Sequence, residues 1–409
     1  MKRPTFIVSA LLVFALLCGS LSTCASAKNS IDKTLRFGSD GKFRIMQVAD
    51  IQDGPSLKLI TRQFLREAVK RVQPDLVVLT GDNVYGRICQ SGKKNIDELR
   101  IRSAIDDFMS IFEKAGVPTA MVFGNHDAEC LVTKEEQMAI YSEYSCFLGI
   151  DEGEEIYGCG TYNLPILSSD GAKTAYNLWM FDSNMYIYDE EGNRQGFDYV
   201  RQSQLDWYVK TGNELKAANG GKAVPSILFQ HIVVPEIYDA LLEVPEGTED
   251  AVEYEGKFYV LNPENTAPGS SMREDPDPSN QNGGEFDCVK AQGDVVAMVF
   301  GHDHINSYSV KHQGIDLICT PGVGFRSYGN NNRGVRVIDL DEKDLSTYST
   351  HLETFLDYYG DQPDQVLRFK MYINRDVPDN ERIKSTILYV LFFPAIQVYR
   401  LFRLIFIRR

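Results

Sequence analysis

One event recurs along this chain and constrains its fold more than any other: an apolar run of strand length ends in Asp, Asn or His. Residues 43–48 run into Ala49-Asp50, and residues 76–79 run into Thr80-Gly81-Asp82-Asn83. Residues 119–123 deliver Gly124-Asn125-His126-Asp127, residues 226–230 deliver His231, and residues 295–300 deliver Gly301-His302-Asp303-His304. A further run at 178–182 ends in Asp182. Short continuous apolar runs read as strands buried on both faces. A rigid sheet with polar tips holds short loops in fixed geometry, which is where α/β folds place their chemistry. Between these runs, residues 59–72 carry Leu59, Ile60, Phe64, Leu65, Ala68, Val69 and Val72 at helical spacing, and a second amphipathic helix is predicted over 97–115. Helices alternate with strands early, so part of the sheet is expected to be parallel in an α/β fold.

Two stretches read as insertions. Residues 129–170 are polar, Gly-rich and Cys-bearing; residues 235–287 are rich in Glu, Asp, Pro, Asn and Gly, with little periodicity over 262–285. Each is either a rim over the site or a surface excursion. No internal repeat is present.

Four of the six histidines, His126, His231, His302 and His304, fall at predicted strand ends beside Asp50, Asp82 and Asn125. A lone histidine is usually a core or surface residue; four in such company point to metal. Imidazole and oxygen ligands without thiolates suit Zn, Mn or Fe. Phosphate ester hydrolysis asks for charge neutralisation at the phosphoryl oxygens, a hydroxide at neutral pH and a proton for the leaving oxygen. Two metal ions about 3.5–4 Å apart supply the first two, and a positioned His supplies the third.

In this order the motifs resemble those of the calcineurin-like metallophosphoesterase superfamily, over most of residues 42–340. The resemblance implies a four-layer αββα sandwich of two mixed sheets, within a catalytic domain spanning 35–375. It also implies two divalent or mixed-valence transition metal ions (Fe, Mn or Zn). By the same resemblance, Asp82 is the bridging carboxylate, Asp50 and His304 bind the first metal, and Asn125, His231 and His302 bind the second. His126 touches the phosphate and acts as general acid with Asp127 beside it, and a metal-bridging hydroxide attacks phosphomonoesters or phosphodiesters. One position departs from the family pattern: the usual Asp-x-His is here Asp50-Ile51-Gln52. Gln52 offers a neutral carbonyl oxygen, a weaker ligand than imidazole. Purple acid phosphatases, a branch of the superfamily, lack that His and use a Tyr in Gly-Asp-x-x-Tyr, which this chain has as Gly81-Asp82-Asn83-Val84-Tyr85. Three arrangements stay open: Tyr85 ligates the first metal and favours trivalent iron, Gln52 binds directly or through water, or Tyr85 only packs beside the site. Arg326 is a candidate clamp for a phosphate oxygen, and Tyr162, Asn163 and Tyr328 are weaker substrate contacts. The alternative is a non-catalytic exported binding protein with a weakened first metal site.

The formal net charge is −15 and the isoelectric point about 5.0, which argues against a nucleic-acid backbone as main partner. The expected partner is a phosphorylated small-molecule or ester substrate. Residues 1–27, with Lys2-Arg3, a short apolar core and Ala25-Ser26-Ala27, read as a signal peptide, so a secreted or extracytoplasmic location is expected. The six later cysteines permit disulfides but serve equally as buried thiols. Residues 384–409 are apolar, interrupted by Pro394, Arg400 and Arg403. They are expected to associate with a membrane, as a span or as an amphipathic helix on its surface.

Overall fold

The structure, a computed structural model, describes residue 31 and residues 33–406. The signal peptide expected at the N-terminus and the last three residues lie outside the described residues. In chain order the first strands are β1 (Lys42–Val48), β2 (Leu76–Thr80), β3 (Thr119–Val122), β4 (Tyr162–Leu167) and β5 (Thr174–Met180). A hairpin of β6 (Tyr186–Tyr188) and β7 (Arg194–Phe197) precedes β8 (Ser226–Phe229). Then come β9 (Leu242–Val244), β10 (Val252–Tyr254) and β11 (Lys257–Val260), which make a small separate sheet. The chain continues through β12 (Val295–Phe300), β13 (Ser309–His312), β14 (Ile315–Cys319), β15 (Gly334–Asp341) and β16 (Asp344–Thr354).

Two large sheets form. One has the order β16-β15-β1-β2-β3, the other β13-β14-β12-β8-β5-β4. Both are mixed. β1, β2 and β3 run parallel while β15 and β16 pair antiparallel, and β5, β8, β12 and β14 run parallel while β4 and β13 close the edges antiparallel. The alternation of side chains along each strand decides the layers. Ile45, Val78, Val122 and Ile338 of the first sheet meet Leu178, Ile227, Phe229 and Val299 of the second in one fully buried cluster. The opposite faces are buried too. Trp179, Leu228, Met298 and Leu317 pack with Leu205, Tyr208, Phe286 and Val289 from the helices Gln202–Ala218 and Glu285–Gln292. On the other side Met46, Val48, Val77 and Leu79 are fully buried, as are Phe64 and Phe108 of the helices Leu59–Val72 and Lys94–Ala115. Each such side chain contributes roughly 1.5–3 kcal/mol of burial. The result is the expected αββα sandwich of two mixed sheets.

The stretch 129–170 is less of an insertion than its composition suggests: it holds the helix Lys134–Tyr141 and the edge strand β4. Thr133 caps that helix in a capping box with Glu136, which explains why a polar run still ends in regular structure. All six later cysteines are free thiols, four of them buried. The C-terminal segment forms one helix, Asp379–Phe406, with Pro394 inside it. Among the described residues no helix is long and apolar enough to cross a membrane.

Candidate metal centre

Both sheets contribute to one end of the sandwich. β1, β2 and β3 of the five-stranded sheet run out into Asp50, Asp82 and Asn125, and β8 and β12 of the six-stranded sheet into His231, His302 and His304. The chain turns sharply there. Asp50, Gln52, Asp82 and His302 adopt positive φ of 51°, 38°, 48° and 72°. Such a conformation costs a non-glycine residue about 1–3 kcal/mol. It is held here by Asp50 N donating to Gly81 O (3.2 Å), Gln52 N to Asp82 O (2.7 Å) and His302 N to Asp50 Oδ2 (3.1 Å). The glycines of the motifs make room for the side chains between them. A Cβ on Gly81, whose φ is +83°, would stand 2.6 Å from His231 Nδ1, and one on Gly124 2.3 Å from Asp82 Oδ1.

The polar atoms converge. His231 Nδ1 donates to Thr80 O (2.9 Å), which turns Nε2 towards Asn125 Oδ1 (3.1 Å), Asp82 Oδ1 (3.4 Å) and His302 Nδ1 (3.2 Å). Asp50, Asp82 and His231 each offer a ligand atom, all within 4.8 Å of one another. His304 Nε2 lies 3.5 Å from Asp50 Oδ1, a buried oxygen with no hydrogen-bond partner. Several lone-pair atoms face each other with too few protons between them, and a buried unpaired carboxylate oxygen is costly. That is the arrangement a cation would resolve, so these residues fit a metal centre. Burial holds His304 at about 3 and puts His302 well below the ordinary histidine value, so both rings are neutral. Burial opposes ionisation of Asp82, but the charges of His231 and His126 outweigh it and hold the carboxylate well below its usual range. Burial raises Asp50 to about 8.

Gln52 reaches the same spot with its amide nitrogen, Nε2 donating to Asp82 Oδ2 at 3.1 Å. In this orientation it braces the carboxylate rather than offering its carbonyl as a ligand. Tyr85 lines the cavity, and its ring meets that of His126 edge-on, centroids 5.1 Å apart. His126 Nδ1 pairs with Glu129 Oε2 at 2.7 Å. Burial works against protonation of this ring, but Asp82 and Glu129 outweigh it and raise its pKa. The site opens into a cavity of about 360 Å³.

Two expected roles do not match the placement. Asp127 does not partner the His126 ring; its carboxylate is buried behind the loop, accepting from Val84 N (2.8 Å) and Gly124 N (2.7 Å), and Glu129 takes the place beside His126. Arg326 is not at the cavity, because Asp53 captures its guanidinium and Ser56 O takes a further bond at 3.2 Å. Tyr162 and Asn163 are likewise committed elsewhere, to Met121 O (2.7 Å) and Asn177 (2.7 Å). Tyr328 does line the cavity and stacks on His304 with centroids 4.5 Å apart.

Other residues appear only in the structure. Tyr186 receives a bond from Asn125 Nδ2 (2.7 Å) and donates to Glu129 Oε1 (3.2 Å), tying a candidate ligand to the partner of His126. Phe197 packs against His302, centroids 4.5 Å apart, and Arg194 lies over the rings of Tyr186 (4.0 Å) and Phe197 (4.5 Å). Glu274, Asp275 and Asp277, from the region 235–287, also line the cavity, so that region forms part of the rim.

Fold and site together define a metallophosphoesterase. The family model for calcineurin-like phosphoesterase matches residues 43–306, and the chain belongs to that family. A curated Arabidopsis thaliana relative, "Probable inactive purple acid phosphatase 14", is 27% identical over 82% of this chain and 85% of its own length. "Phosphatase DCR2" of Saccharomyces cerevisiae is 24% identical over 83% of this chain and 58% of its own. A solved dimetal phosphatase from Danio rerio aligns with a TM-score of 0.47 at 14% identity, covering 73% of this chain and 93% of that one.

Proposed function

We propose that the protein is an exported phosphoesterase that hydrolyses phosphomonoesters or phosphodiesters at a two-metal centre. The observation that carries this reading is the convergence of six nitrogen- and oxygen-bearing side chains from two sheets beside a histidine poised as an acid. Asp50 and His304 would hold one ion, Asn125, His231 and His302 the other, with Asp82 between them. When bound, the ions supply neutralisation of phosphoryl charge and a nucleophile at neutral pH. Asn125 is held by Tyr186, and His231 is turned into the site by Thr80 O. His126 gives its proton to the leaving oxygen; Glu129 fixes the ring through Nδ1 and favours the charged form from which that proton comes. Arg194, at the mouth, is the cation that meets a phosphoryl oxygen. Export rests on the N-terminal segment, residues 1–27.

Tyr85 is better placed to pack against the acid than to ligate, since its ring contact is with His126. Tyr85→Phe should therefore keep metal content and colour unchanged; loss of either would restore the trivalent-iron reading. A second reading, a non-catalytic binding protein, is favoured by Gln52 in place of the usual His and by relatives named "probable inactive". Hydrolysis of an aryl phosphate with added Mn or Fe, compared with His126→Ala, separates the two. The enzyme reading expects a fall of about 100-fold in kcat; equal background rates in both proteins would sink it.

A further inference from the structure

The helix Asp379–Phe406 is amphipathic in the wrong sense for a surface helix. On a water-soluble domain the apolar stripe faces inward and the polar one outward. Here Ile383, Ile387, Val390, Leu391, Val398 and Phe402 recur at helical spacing, and all six are exposed, Leu391 at 68% and Val398 at 70%. The buried positions, Ser385 and Ile396, lie on the other side of the helix. Phe392 and Phe393 are exposed as well, outside this stripe. An exposed apolar stripe along a helix of this length marks a surface made to be covered.

Charge and length indicate what covers it. Residues 382–409 contain Arg382, Lys384, Arg400, Arg403, Arg408 and Arg409 and no acidic residue, in a chain whose net charge is −15. Positive charge is thus concentrated on a segment that exposes a stripe of apolar side chains. The uncharged stretch from Ser385 to Tyr399 reaches about 22 Å at 1.5 Å per residue, short of the roughly 30 Å of a bilayer core. Pro394 sits midway in the helix, and no described helix qualifies as a span. We propose that this helix lies in one leaflet of an anionic membrane, its apolar stripe among the acyl chains and its basic residues at the headgroups. The protein is then monotopic, held at a lipid surface by this helix.

Flotation of the full-length chain with vesicles of phosphatidylcholine, with and without phosphatidylglycerol, tests this. The wild type should partition to the anionic vesicles about tenfold better than to the zwitterionic ones. Ile387→Glu/Leu391→Glu/Val398→Glu should abolish flotation while leaving the thermal unfolding midpoint unchanged; Ile387→Gln/Leu391→Gln/Val398→Gln serves if the first variant does not fold. Arg400→Gln/Arg403→Gln should remove the preference for anionic lipid. Flotation that survives the triple substitution would assign membrane binding to another segment and overturn the proposal. So would a wild type that ignores vesicles but forms a concentration-dependent dimer dispersed by the same substitutions, since a second copy would then be the cover.

Discussion

Glu129 holds His126 by a single short contact to Nδ1, and Tyr186 links that carboxylate back to Asn125. Removing the charge should therefore be felt where the leaving group needs a proton. Glu129→Gln is expected to lower kcat for an alkyl phosphate by about 10- to 100-fold. An aryl phosphate, whose leaving oxygen departs without much help, should lose far less. Equal losses on both substrates would mean that Glu129 only supports the loop. Arg194 makes a different kind of contribution. No ion pair ties it down among the described residues, and its guanidinium rests on Tyr186 and Phe197 at the cavity mouth. Arg194→Ala should raise KM about tenfold, roughly 1.4 kcal/mol, with kcat nearly unchanged. A fall in kcat with constant KM would place it in the chemical step instead.

At the scale of elements, the loops after the strands carry the strain and the glycines that permit the site. Gly81→Ala meets both a positive φ and the His231 ring, so it should cost at least about 1 kcal/mol of stability and displace a ligand. Denaturant unfolding together with metal content would check both effects. A second element-scale effect lies at the start of the helix Glu285–Gln292. Burial raises Glu285 to about 8, above its ordinary value of 4.5, against the bond from Gln230. The folded state therefore keeps this proton longer than the unfolded chain. Stability from this group is fully present below pH 4.5, declines as pH rises, and is gone above about 8. Glu285→Gln should remove that slope and gain, relative to wild type, on the order of a few kcal/mol at pH 8 over pH 5, read from urea midpoints. A wild-type slope retained in the variant would contradict this.

The strands that run into the site were legible in the sequence because they are short, apolar and punctuated by polar tips. β12 and the helix Leu59–Val72 fall where the pattern puts them, and β1, β2 and β8 differ by a residue. The hairpin β15–β16 was not legible. Its place beside β1 is set by long-range pairing, Phe43 opposite Leu340 and Ile45 opposite Ile338, which no local pattern encodes. The site shows the same division. Histidines and carboxylates at strand tips announced themselves, whereas Glu129, Tyr186 and Arg194 lie in polar stretches where such residues are ordinary. The only local sign of Glu129 was its position three residues after His126. Arg326 misled because its partner, Asp53, is 273 residues away in sequence.

For the whole molecule, each sheet supplies half the candidate ligands, Asp50, Asp82 and Asn125 from one and His231, His302 and His304 from the other. Bound metal should hold the two sheets together at that end. Ions at 100 times their dissociation constant add about 2.7 kcal/mol to stability. Chelation should accordingly lower the thermal midpoint by a few degrees, reversibly on adding Mn or Zn. The most direct test of the account is elemental analysis of the purified protein. About two transition-metal ions per chain, both lost in Asp82→Asn, is the result expected of a complete centre in which Gln52 braces the shared carboxylate. One ion or none after incubation with Mn, Zn and Fe would contradict it and leave the fold as a binding scaffold.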